Sequence, residues 1–71
     1  MRQRQERKYL VFRIWNARGT FPIKAVHVPQ NVSLNDAMDW LPPTVVGRPV
    51  VAYGYSASEA IEWARHYVPG F

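Results

Sequence analysis

The chain has no cysteine, so neither a disulfide framework nor a thiolate zinc site can support its fold. Glycine is scarce. The four residues, at 19, 47, 54 and 70, stand singly, which excludes a glycine-rich phosphate loop. No membrane-length apolar run occurs. The apolar segment from Tyr9 to Trp15 is interrupted by Arg13 and is too short for a secretory core or a membrane span. Acids are nearly missing from the first third. Residues 1–24 hold Arg2, Arg4, Arg7, Lys8, Arg13, Arg18 and Lys24 against Glu6 alone, a net +6. Residues 25–71 hold Arg48 and Arg65 against Asp36, Asp39, Glu59 and Glu62, a net −2. These absences lead us to expect a cytoplasmic protein with no membrane association. Its basic front end should attract phosphates or an acidic protein surface.

What is abundant is aromatic bulk, with three Trp, four Tyr and three Phe among 71 residues. A single domain of this size buries only about 60% of the surface its unfolded chain exposes. Large rings supply its core, and some rings stay outside for want of interior space. Residues 1–8 carry no apolar side chain after Met1 and read as a flexible basic arm, with one domain over 9–71. Tyr9–Trp15 alternates as a strand, with Leu10, Phe12 and Ile14 on one face and Tyr9, Val11, Arg13 and Trp15 on the other. Asn16-Ala17-Arg18-Gly19 reads as a turn with Gly19 at positive φ, and Phe21–Val28 as the return strand. Pro22 belongs at its start or on an edge.

Two helices are signalled by a serine followed three residues later by an acid, Ser33/Asp36 and Ser56/Glu59, the capping-box pattern. Their apolar stripes are Leu34, Ala37, Met38 and Leu41 in the first, and Ala57, Ala60, Ile61, Ala64 and Val68 in the second. Pro42-Pro43 stops the first, and Pro69-Gly70 ends the second. Between them, Val45-Val46 and Pro49–Tyr53 form one strand or two short ones, with Gly47 and Gly54 as breaks. The expected fold is α+β in the order β-β-α-β-α. A small, mainly antiparallel sheet would have both helices packed on one face.

Catalytic chemistry has little to stand on. His27 and His66 lack patterned partners for a metal, which needs three or four ligands. The serines at 33, 56 and 58 are better used at helix starts than as nucleophiles. Asp36/Asp39 and Glu59/Glu62 are three apart on their helices, the placement of solvated acids favoured by the helix dipole. We therefore expect no enzyme, no cofactor, no metal and no small-molecule substrate. The basic arm continues into Arg13, Arg18 and Lys24 of the hairpin, interleaved with Tyr9, Phe12, Trp15 and Phe21. Such a mixture suits a protein interface or stacking on single-stranded bases. The expected contact set is Arg2, Arg4, Arg7, Lys8, Tyr9, Arg13, Trp15, Arg18 and Lys24, on one basic surface if Arg13 and Lys24 share a sheet face.

Two resemblances add to this. Gly54-Tyr55-Ser56-Ala57-Ser58-Glu59-Ala60-Ile61-Glu62-Trp63-Ala64 resembles the Gly-x-Thr-x-x-Glu-Ala-x-x-x-Ala stretch of HicB-type antitoxin domains. That implies a strand leading through glycine into a capped helix and, in function, a partner of a toxic nuclease. In length, charge and lack of catalytic groups the chain resembles small bacteriophage host-takeover proteins, such as the RNA-polymerase-binding transcription regulators of Xanthomonas phages. That implies a regulator that occupies host polymerase surface, inhibiting or antiterminating transcription, with contacts on Arg2 to Lys8 and the hairpin. Direct nucleic-acid binding is the remaining alternative.

Overall fold

The computed structural model describes residues 6–71. Its elements follow the order β1 (Arg7–Ile14), β2 (Ile23–Val28), α1 (Leu34–Met38), β3 (Val45–Gly54) and α2 (Ala57–Tyr67). The strands form one antiparallel sheet in the order β2-β1-β3. The fold is a small α+β domain with β1 at its centre.

β1 starts two residues before Tyr9. Arg7 pairs with Gly54, and Lys8 pairs with both Val28 and Tyr53. The boundary placed between residues 8 and 9 therefore falls inside a strand. Backbone pairing, on one side for Arg7 and on both for Lys8, orders these residues although neither brings apolar bulk. Arg2 and Arg4 lie outside the described residues.

The β1–β2 hairpin turns as its residues dictate. Asn16 Oδ1 accepts from the Arg18 and Thr20 backbone N–H groups at 2.9 and 3.2 Å, an Asx-type turn. Gly19 takes φ +76°. β2 opens at Ile23 rather than at Phe21, just after Pro22, which leaves Phe21 exposed.

β3 is continuous but irregular. From Val11 to Arg13, β1 advances two residues while β3 runs four, from Val50 to Val46. The surplus lies around Gly47-Arg48-Pro49, where Gly47 has φ +75°, as in a bulge that bends an edge strand.

The two helices lie on opposite faces of the sheet, not on one as the sequence suggests. Tyr9, Val11 and Ala52 pack with Ala60 and Ala64 of α2, joined by Ile23, Ala25, Val50, Ile61, Trp63 and Phe71. The alternate residue Leu10 packs with Val28 and with Ala37 of α1, joined by Val32, Leu41 and Val51. The cause is topological. β2 and β3 both run antiparallel to β1, so they are parallel to each other and joined by a crossover over the central strand. That crossover carries α1 and covers the Leu10 face. Only α2 remains to cover the Tyr9/Val11 face. β1 is accordingly buried over four consecutive residues, Tyr9 to Phe12, as expected of a strand covered on both sides.

The helices are unequal. Ser33 and Ser56 cap them, each accepting from the N–H three residues on, at 3.2 and 3.3 Å. α1 has only five residues and buries only Ala37, with Leu34, Met38 and the following Trp40 exposed. Its stripe was expected to reach Leu41, but the regular helix ends at Met38, before the Pro42-Pro43 stop.

The hairpin end of the sheet as a candidate binding surface

The expected contact residues are divided along the sheet. Arg7 and Lys8 stand at the start of β1, and Arg13 six residues later. At about 3.3 Å per residue the separation is about 20 Å. Lys24 pairs with Phe12, Arg13 with Ile23. Strand alternation therefore sends Lys24 and Arg13 to opposite faces, so the single cationic face does not form. Tyr9 is 5% exposed. It belongs to the core rather than to a surface, with its ring beside His27 at 5.5 Å.

Arg13 is committed within the fold. Its guanidinium donates to the main-chain oxygen of Phe71 at 2.8 Å and to that of Phe21 at 3.3 Å. It also lies 5.3 Å from the centre of the Phe71 ring, a cation–π distance. A contact across 58 residues thus ties the last turn of the chain to the sheet. Val68 and Phe71 are both half-buried beside it.

Arg7 and Lys24 are exposed but apart, whereas the end of the sheet formed by the hairpin exposes aromatic rings. Ile14 N–H donates to Pro22 O at 3.1 Å. Continuing the β1–β2 register past its last pair then sets Trp15 across from Phe21. Both rings are largely exposed, at 53% and 47%. Arg18 is exposed at the tip. Across β1, Val46 pairs with Arg13 and is exposed, and Arg48 projects from the bulge. Trp15, Phe21 and the tip residue Arg18 thus share the hairpin end, while Val46 and Arg48 are exposed on the neighbouring edge strand β3. Val46 and Arg48 were missed as contact residues because they lie some thirty positions from the hairpin. Their only signal is the isolated Gly47 between them.

Among the described residues no three of His, Cys, Asp or Glu are gathered as a metal site. No helix among them is long and apolar enough to cross a membrane. Glu59, one of the paired acids, accepts from Tyr55 N–H at 3.0 Å and so closes the cap of α2. The segment behind the antitoxin resemblance forms the end of β3 and the start of α2. Comparison with family models, curated proteins and solved structures returns no match for the chain.

Proposed function

We propose that this chain is a non-enzymatic protein-binding regulator that docks the hairpin end of its sheet onto an acidic, pocketed protein surface. The observation that carries the reading is the exposure of Trp15 and Phe21 together, with Arg18 exposed at the hairpin tip and Arg48 exposed on the β3 bulge. A marginal domain gains by burying two rings of this size. Trp and Arg are also the residues on which interface energy concentrates. Docking buries the rings in apolar pockets, while the guanidinium groups meet carboxylates at the rim, where they steer encounter and fix register. Arg13 contributes by holding the hairpin base rather than by contact. In the finer reading the acidic surface belongs to RNA polymerase, with transcription controlled by occupation rather than by chemistry.

The test is retention of purified bacterial RNA polymerase on the immobilised chain, beside a gel shift with random DNA and RNA at two salt concentrations. The expected result is retention that falls about tenfold or more for Trp15→Ala/Phe21→Ala, with no retarded nucleic acid. Polymerase that is not retained, or that binds the double variant equally, removes the polymerase reading. Retardation that collapses with salt and with Arg18→Glu/Arg48→Glu assigns the surface to nucleic acid instead.

A further inference from the structure

A second surface lies apart from the hairpin end, where α2 passes the edge strand β3 near the beginning of the described chain. Glu6, Tyr53, Ser58, Glu59, Glu62, Trp63 and His66 line an open groove of about 500 Å³. Its wall is aromatic. The Tyr53 and Trp63 rings meet at 76° with centres 5.5 Å apart, and outside the groove Tyr67 lies against Trp63 at 4.9 Å. Two rings nearly at right angles form a corner. Tyr53 is 41% exposed and Trp63 half-buried, so the corner opens to water.

The rim is acidic. Glu59 is the i,i+3 neighbour of Glu62 and the i,i+4 neighbour of Trp63 on α2, and Glu6 joins them in the lining of the groove. Glu59 gives one oxygen to the Tyr55 N–H, and a carboxylate retains capacity for further donors. A chain with net charge +4 thus concentrates three of its five acids around one aromatic corner.

We infer that this groove docks an extended basic segment of a second protein, with an Arg or Lys head seated in the Tyr53/Trp63 corner and paired with Glu62. The electron-rich ring faces attract a cation, and the carboxylates supply charge-assisted hydrogen bonds. Charge complementarity argues against an apolar or acidic occupant. The open shape argues against a small amine, because small-molecule sites enclose most of their ligand. A side chain presented by an extended backbone needs no such enclosure.

The experiment is a two-dimensional NMR titration of the full chain, following the Trp63 indole N–H. The probe is a capped peptide of alternating Arg and Gly, and the control is a peptide of the same length with Gln for Arg. The expected result is a saturable Trp63 shift with the Arg peptide only, weakened about tenfold on moving from low to physiological salt. Glu62→Lys, at an exposed position, should weaken binding at least about tenfold and leave the other cross-peaks in place. Equal shifts with the Gln peptide, or unchanged binding by Glu62→Lys, would overturn the inference. So would a concentration-dependent Trp63 shift without peptide that Glu62→Lys abolishes, which would make a second copy of this chain the occupant.

Discussion

At the scale of single residues, side chains of the same type carry different duties, and position decides which. Arg13 and Arg18 are five apart, and a sequence reading treats them alike. One spans the fold to hold Phe71, the other sits exposed in a turn. Hydrogen bonds from charged donors contribute about 1.5–3 kcal/mol net when shielded. Arg13→Ala, at a half-buried site, should therefore cost about 1–2 kcal/mol in urea unfolding, whereas Arg18→Ala should stay within about 0.5 kcal/mol. A charge reversal that includes Arg13 would confuse folding with docking. Gly54 shows the same point for space. A Cβ there would lie 2.8 Å from Ala60 N and from Glu59 Cβ, because α2 starts against the end of β3. Gly54→Ala should cost about 1–3 kcal/mol, as overpacking against backbone does. The same unfolding series checks it, and an unchanged midpoint would mean that α2 shifts freely.

Elements were legible where local chemistry sets them. Both serine caps form as the Ser-x-x-acid spacing requires, Gly19 takes positive φ, and the order of strands and helices follows the alternation of apolar residues. The extent of α1 was not legible. Its stripe of Leu34, Ala37, Met38 and Leu41 has helical spacing, yet only Ala37 is buried, because how much a helix covers depends on the surface it meets. This difference has a dynamic consequence. An element with few buried apolar groups opens locally, at lower cost than the whole domain. Amides of α1 should exchange with solvent well before those of α2 around Ala60 and Ala64. Ser56→Ala should lower global stability by about 1 kcal/mol, and Ser33→Ala should mainly speed exchange within α1. Hydrogen exchange read residue by residue checks both, and equal protection of the two helices would contradict the inequality.

For the whole molecule, what the sequence hid was the side on which each helix falls and the grouping of charge. Both are long-range properties. The run Tyr9-Leu10-Val11-Phe12 carried the clue to a strand covered on both faces, but Arg13 and Trp15 make its second face read as wet. The basic residues of positions 2–24 form one cluster in the chain. In space, strand length separates Arg7 and Lys8 from the hairpin, and strand alternation parts Arg13 from Lys24. Field and contact are therefore expected to separate kinetically. Removing residues 1–5 takes away Arg2 and Arg4 and lowers the net charge from +4 to +2. Long-range charge governs encounter, and buried contacts govern dissociation. Against the partner retained in the binding test, this truncation should slow association by about two- to tenfold at low salt, an effect that fades as screening shortens to about 8 Å at physiological ionic strength. Dissociation should be unchanged. Trp15→Ala/Phe21→Ala should do the reverse, raising the dissociation rate about tenfold or more with little effect on association. Surface plasmon resonance at two salt concentrations separates the two rates. Faster dissociation of the truncated chain would place residues 1–5 within the contact and take the anchoring role away from the hairpin.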